Sequence, residues 1–476
     1  MEVIQLWIKD SKSLPIFWLV GPAGVGKSAI AQMVVEWCDE RGQLASSFFC
    51  SQDANHHHTD FCPIFPTLAI QLAQKHLRIR LVLVSLLRSD PDVVYESPSD
   101  QVEQLIVKPL KLVDVSTVII IDGLDEWMDD ESQFTVVSTI EHWVKEIPKV
   151  KFLVTSRPKH NIFVGPDILF CTQLFMLTPD LIDSDIRRFL EHELSRLASR
   201  NRLDGWPMAT QLDLLCHRAA GLFVYAVATV KFLGRKHTSP DKQYTIIEHS
   251  PDDTIHEGTV EGVHRGLSLD SLCTSILQSS IRANDAGDDA VVRLVLATVF
   301  LVAHPLPPPA IATLIHLDVE KVASIIRSIE PLLRIHEAPE AEEPVRPFHK
   351  LLPDLLTSPD RCADKRFYIS PGKFHSEIAL NCLKLVNETL QGDPSVGSEV
   401  NSPEKIALGY ACRSWHVHLA ETREGITVLI PTLRHFLEHK YGAWLGMLSI
   451  LGATGVAASA LDKTISWLCD VRLGLP

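Results

Sequence analysis

The segment Gly21-Pro22-Ala23-Gly24-Val25-Gly26-Lys27-Ser28 limits what this chain can fold into more than any other feature. Its spacing, Gly-x-x-x-x-Gly-Lys-Ser, is that of a loop that grips phosphate. The glycines let the backbone curl until successive N–H groups point at phosphate oxygens. Lys27 supplies a point charge to the β- and γ-phosphates, and the Ser28 hydroxyl can ligate Mg2+. The flanks agree with this reading. Ile16 to Val20 is a short apolar run, as in a buried parallel strand, and Ile30, Met33, Val34, Trp37 and Cys38 recur at helical spacing after Ser28. Strand, loop and helix in that order add the helix's N-terminal partial charge to the phosphate site. The expected ligand is ATP or ADP with Mg2+, held by Gly21, Gly24, Gly26, Lys27 and Ser28.

Three further runs extend the pattern. Leu44 to Cys50 reads as a second strand and Phe65 to Leu77 as a helix; Thr117 to Ile121 is a β-branched strand ending in Asp122; Lys151 to Thr155 is a strand ending in Ser156-Arg157-Pro158. Strands alternating with helices predict a doubly wound α/β domain with its ligand at the carboxyl ends of the strands. A carboxylate at the tip of an apolar strand is placed to hold Mg2+, which is the role expected of Asp122. Asp125 or Glu126 is expected to orient or deprotonate the attacking water, and Arg157 to reach the γ-phosphate. Each has a plainer alternative: an acidic loop that continues into solvated Asp129, Asp130 and Glu131, and a surface arginine before a proline turn. The cluster His56-His57-His58 with Asp60 and Cys62 invites a metal, but adjacent histidines diverge, and a solvated loop is the stronger expectation. No Ser/His/Asp or Cys/His arrangement stands out among 21 histidines and ten cysteines.

From Thr178 the pattern turns helical. Asp183 to Leu197 and Gln211 to Leu233 are amphipathic, the second with Gly221 inside it, and Lys236 to Gly266 reads as an irregular connection. Helices follow at Leu269 to Arg282, Asp289 to Val302, Pro308 to Leu317 and Val319 to Ser328. Leu332 to Ile335 and Arg346 to Phe348 suit two strands of a small wing, and Gln391 to Pro403 precedes a last helical block. At 476 residues, roughly two to four domains are expected. A net charge of −14 without a Lys/Arg stripe argues against a general nucleic-acid surface. The cysteines form no Cys-x-x-Cys pair and no signal peptide is seen at Met1-Glu2-Val3-Ile4, so a reducing intracellular setting is expected. Tyr441 to Leu461 lacks formal charge, but its Gly, Ala, Ser and Thr content favours buried helices over a membrane span.

Gly-Pro-Ala-Gly-Val-Gly-Lys-Ser at 21–28, Ile-Ile-Ile-Asp-Gly-Leu-Asp-Glu at 119–126 and Phe-Leu-Val-Thr-Ser-Arg-Pro at 152–158 together resemble the NACHT domain, the NTPase module of NOD-like switch proteins. Ala219-Ala220-Gly221-Leu222-Phe223, Phe348-His349 and Tyr410-Ala411-Cys412-x-x-Trp415-x-x-His418-Leu419 resemble the fungal NOD-like receptors. The resemblance implies an ATP/ADP switch in the cytoplasm, closed around ADP and opening into a self-oligomer on exchange for ATP. It implies a nucleotide-binding domain at 1–177, a helical domain and linker at 178–266, a winged-helix-like domain at 267–370 and a helical domain at 371–476. It also assigns His349 to the β-phosphate of ADP, where a packed histidine is the competing reading. Protein partners are left unnamed, and neither nucleic acid nor membrane is expected. The chain departs from the family at Phe223, where a proline is usual, and at Leu351-Leu352, where Ser-Phe is usual. Neither an effector domain ahead of the first strand nor a repeat array after Leu468 is expected. Two other readings stand beside the switch: a steadily turning-over NTPase, and a truncated scaffold that binds nucleotide without hydrolysis.

Overall fold

Five strands, β1 (Ile16–Val20), β2 (Leu44–Phe49), β3 (Thr117–Asp122), β4 (Val150–Ser156) and β5 (Thr172–Met176), pair in parallel in the order β2-β3-β4-β1-β5. Successive strand side chains point to opposite faces, so a strand covered on both sides needs an unbroken apolar run. Ile16, Trp18 and Val20 enter one core, with Ile119 and Ile121 of β3 and Phe152 and Val154 of β4. Phe17 and Leu19 enter the other, with Val118, Ile120 and Leu153. This is the doubly wound sheet expected from the sequence. The computed structural model describes residues 1–50, 64–113, 116–126, 130–158, 171–235, 238–250, 261–283, 289–335, 343–349, 351–390 and 402–474. The His56-His57-His58 cluster with Asp60 and Cys62, Asp129, and most of Gln391 to Pro403 lie outside the described residues.

The chain divides into two compact units: Met1–His192 with Ala209–Ala226, and Glu193–Met208 with Val227–Pro476. In the first, α1 (Glu2–Lys9) and α2 (Lys27–Asp39) cover one face of the sheet through Ile4, Trp7, Ile8, Ala31, Val34 and Cys38. The other face is covered by α3 (Ile64–Lys75), α4 (Leu77–Ser89), a stretch of short turns holding α5 (Pro98–Gln101) and α6 (Lys108–Leu110), and α7 (Asp130–Val144). β1 therefore sits between β4 and β5, and β4 sits between the strand that feeds the phosphate loop and the strand that carries Asp122.

Beyond β5 come α8 (Pro179–Asn201), α9 (Ala209–Ala219) and α10 (Phe223–Leu233). The sequence pattern predicts one helix from Gln211 to Leu233; the structure breaks it, because Ala220 (φ 45°) and Gly221 (φ 79°) both turn left-handed. The expected irregular connection at Lys236 to Gly266 is also corrected. It contains α11 (Pro240–Glu248) and the start of α12 (Glu261–Ala283). Pro240 reads as a breaker, yet it stands in the first turn behind Ser239, where proline's missing N–H costs nothing.

The second unit continues with α13 (Asp289–Leu301), α14 (Pro308–Leu314), α15 (Val319–Ser328), the antiparallel pair β6 (Leu333–Arg334) and β7 (Arg346–Pro347), and α16 (Leu351–Thr357). Arg361 donates to both oxygens of Asp270 at 3.0 and 2.8 Å, tying its segment to α12. Five longer helices follow: α17 (Pro371–Thr389), α18 (Pro403–Glu421), α19 (Ile426–His439), α20 (Tyr441–Ile450) and α21 (Val456–Gly474). Trp415, Phe436 and Trp444 pack edge to face with ring centroids 5.1 to 5.8 Å apart, the geometry aromatic quadrupoles favour. The uncharged Tyr441 to Leu461 stretch forms α20 and the beginning of α21, and among the described residues no helix is long and apolar enough to cross a membrane.

Candidate functional site

The carboxyl ends of β1, β4 and β3 carry, in adjacent positions across the sheet, the glycine loop, Arg157 and Asp122. Backbone curvature in the loop comes from Gly24 (φ 80°) and Gly26 (φ 95°), and Gly26 is the left-handed residue from which α2 starts. Gly24 is required twice over. Its φ is disallowed for most side chains, and a Cβ there would stand 2.8 Å from Val224 Cγ1. Val224 also donates its N–H to the Gly24 carbonyl at 3.2 Å. A Cβ on Gly26 would come to 3.7 Å from the Phe223 ring, and that ring packs on Phe189 at 5.9 Å. The first turn of α10 thus braces the outside of the loop. On the inside, Lys27 Nζ donates to the carbonyls of Gly21 (2.8 Å) and Pro22 (2.9 Å), while Ser28 is exposed in the first turn of α2.

Asp122 is 3% exposed, and Thr155 Oγ1 donates to its Oδ1 at 2.5 Å. The same hydroxyl accepts the N–H of Gly123 at 2.9 Å, so one side chain of β4 fixes both the carboxylate and the turn behind it. Two residues further on, the Arg157 N–H donates to Asp125 Oδ1 at 3.0 Å and Arg157 Nε lies 3.0 Å from Asp125 Oδ2. Asp125 is 3% exposed as a side chain and Arg157 36%. Between these pairs Trp18 of β1 donates its indole N–H to Ser156 Oγ at 2.9 Å, which locks β1 to β4 at the same level. Glu126 closes the turn Leu124–Glu126; its side chain lies outside the described residues.

His349 belongs to the second unit, immediately before α16. Its Nδ1 accepts the N–H of Leu351 at 3.2 Å and its carbonyl accepts that of Leu352 at 3.1 Å, so the residue caps the helix start. Thr155 and Val224 have no role in the sequence reading, and Phe223 enters it only as a departure from a usual proline. Thr155 did carry a signal: it is a hydroxyl residue ending the otherwise apolar run Phe152-Leu153-Val154.

A loop that a Cβ would obstruct, a lysine already satisfied by carbonyls at its mouth, and a hydroxyl with a carboxylate as oxygen donors fit a polyphosphate with Mg2+. Among the described residues no group of three or more His, Cys, Asp or Glu converges as a metal site made by protein alone.

Residues 1–157 match the family model described as Nephrocystin 3, N-terminal. No curated protein matches the chain. Among solved structures it is similar to a chain of Drosophila ORC bound to DNA at 13% identity, covering 71% of this chain and 82% of that one with a TM-score of 0.31. It is similar to the Aeropyrum pernix ORC1 protein in complex with DNA at 16% identity, covering 74% and 88% with a TM-score of 0.32. A DNA replication initiation factor is similar at 12% identity, covering 97% and 92% with a TM-score of 0.26. The parallel sheet with its glycine loop is a phosphate-loop NTPase α/β domain, and it is followed by a helical region.

Proposed function

We propose that the chain is an ATP/ADP-dependent conformational switch of the NACHT, NOD-like type, which binds nucleotide with Mg2+ and hydrolyses ATP slowly. The observation that carries this reading is the pairing of β3 and β4 ends beside the glycine loop. Asp122 is held by Thr155 of β4, and Arg157 by Asp125 of the turn that follows β3. Such preset groups stabilise charge without reorganising at the moment of reaction.

In this reading the loop N–H groups and Lys27 hold the phosphates, exchanging the Gly21 and Pro22 carbonyls for phosphate oxygens. Ser28 and Asp122 hold Mg2+, which when bound neutralises charge on the β- and γ-phosphates. In hydrolysis a water oxygen bonds to the γ-phosphorus as that atom's bond to the bridging oxygen breaks. ADP and inorganic phosphate leave, and the water's proton passes to a carboxylate. The reading includes a winged-helix-like segment at 267–370 and a helical one at 371–476, self-association in the ATP form and residence in the cytoplasm. His349 contacts the β-phosphate of ADP in the same scheme.

Calorimetric titration of the purified chain with ATP and ADP in Mg2+, with single-turnover hydrolysis, tests the proposal. It expects binding of both nucleotides and turnover below about one per second, the low end of enzyme rates. Fast turnover stimulated by an added substrate would replace the switch with an ordinary NTPase. His349→Ala is expected to weaken ADP more than ATP; equal weakening leaves the residue as a helix cap alone.

A further inference from the structure

The last turn of α19 carries two exposed histidines, His435 and His439, that the nucleotide site does not use. Residues four apart on a helix lie one above the other on the same face. Phe436 points the other way, into the aromatic cluster, with its ring 5.1 Å from Trp415 and 5.6 Å from Trp444. The two imidazoles therefore stand over solvent on a turn that the core anchors.

Their spacing suits one shared ion. An imidazole nitrogen binds Zn2+ at about 2.0 to 2.1 Å, which puts the metal about 3.2 Å from the ring centre. Two such rings meeting at an angle between square and tetrahedral have centres about 4.5 to 5.2 Å apart. The centres of His435 and His439 are 4.7 Å apart, with ring planes 21° from parallel. Each ring centre lies close to its own Cβ–Cγ axis. Rotation about that soft torsion re-aims a lone pair without moving the centre.

A second observation picks the nitrogen. His439 Nδ1 lies 3.1 Å from the carbonyl oxygen of His435, one turn back. A carbonyl only accepts, so Nδ1 carries the proton and the lone pair of the neutral ring is on Nε2, at the far side. Tying the spare N–H of an imidazole to a backbone carbonyl is the arrangement that fixes a metal-binding histidine in its tautomer. The pair also closes the C-terminal end of α19, where the helix's partial negative charge favours a cation. Arg434 and Glu438, both exposed in the same turn, offset each other.

We propose that His435 and His439 chelate one divalent transition-metal ion of the imidazole-binding class, Zn2+ foremost, with His439 bound through Nε2. Among the described residues no third His, Cys, Asp or Glu converges on the pair, so water completes the coordination. Two imidazoles select against Mg2+, which prefers oxygen ligands. The site belongs to the helical unit and stands whether or not the chain is a nucleotide switch.

The test is calorimetric titration of the nucleotide-free full chain with Zn2+, beside tryptophan fluorescence against urea with and without the ion. Other histidines and cysteines also take Zn2+, so the comparison is with His435→Gln, His439→Gln and the double variant. Each single change is expected to weaken one Zn2+ site about a hundredfold, the low end of what an intramolecular second contact adds. The double variant is expected to show the same loss, and excess Mg2+ to leave the titration of the unmodified chain unchanged. Zn2+ should raise the urea midpoint of the unmodified chain and of neither single variant, as binding to the folded state alone requires. Variants that bind Zn2+ like the unmodified chain would overturn the proposal, as would two sites lost one at a time, which means histidines acting singly. Should a variant fail to fold, the unmodified chain still decides. Zn2+ is expected to shield His435 and His439 from diethyl pyrocarbonate, read by peptide mass spectrometry, and undiminished modification of both overturns the site.

Discussion

One cluster of buried polar groups in each unit is handled in an opposite way. Beside the glycine loop of the sheet unit the cluster lies at strand ends, and Asp122, Thr155, Ser156 and Asp125 each have a partner on the adjacent strand or turn. In the helical unit a second cluster lies in the core between α17 and α18. The Ala303 N–H donates to Tyr410 Oη (2.9 Å), Tyr410 Oη lies 2.6 Å from His418 Nε2, and His418 Nδ1 lies 2.8 Å from His375 Nδ1. With the Tyr410 hydroxyl donating, His418 carries its proton on Nδ1 and gives it to His375, so the line holds only while both rings are neutral. Close by, Trp415 Nε1 and His416 Nδ1 are buried without a hydrogen-bond partner among the described residues. A strand end exposes its polar groups on one side for a ligand; a helix core must satisfy them internally or bear the cost.

The largest expected effect separates the units by ligand. Lys27→Ala is expected to weaken ATP and ADP by about 4 kcal/mol, roughly a thousandfold, through loss of several charge-assisted contacts. Thermal unfolding of the nucleotide-free chain is expected to change little. Unchanged affinity would remove the glycine loop from the site.

Acid should break the comparison from the other side. Burial lowers His375 and drives His418 well below the ordinary 6.5, and it brings His416 down to about 4, with Lys463 adding to the shift. The unfolded chain then binds protons that the folded core refuses. The stability from these neutral rings is therefore complete above 6.5 and is lost as pH falls toward about 4, His416 alone accounting for about 3 kcal/mol. Fluorescence of Trp415, Trp444 and Trp467 followed against urea at pH 7.5 and 5 checks this. Equal midpoints at the two pH values would show that the histidine line does not stabilise the helical unit.

Gly24→Ala is expected to destabilise the sheet unit by about 2 kcal/mol, from a left-handed backbone and the collision with Val224. Calorimetric unfolding with and without nucleotide measures it, and a neutral result would mean that the α10 brace yields. The smallest change concerns Thr155. Thr155→Val removes one hydroxyl contact from Asp122 and the acceptor of the Gly123 N–H, at about 1 to 2 kcal/mol, whereas Thr155→Ser should restore both. The Mg2+ concentration needed for half-maximal nucleotide binding reports it. If serine and valine behave alike, the hydroxyl does not position Asp122.

What was legible in the sequence was local. The Gly-x-x-x-x-Gly-Lys-Ser spacing states its own backbone curvature, and a strand buried on both faces must be apolar without a break, so β1 and β3 could be read within a residue. β5 escaped because it is an edge strand with half-exposed alternate residues, and the α9–α10 break escaped because helical periodicity runs through Ala220 and Gly221 while their backbone turns left-handed. Asp122, Asp125 and Arg157 could be chosen as candidates from residue type and place alone. Which of them touch was decided by tertiary structure. Thr155 meets Asp122 across 33 positions and Arg157 meets Asp125 across 32, through the register that sets Ile121 beside Val154. A slip of one residue in that register would turn each of these side chains to the other face. Residue type and spacing therefore say which groups can do chemistry, and strand register alone says which of them hold one another.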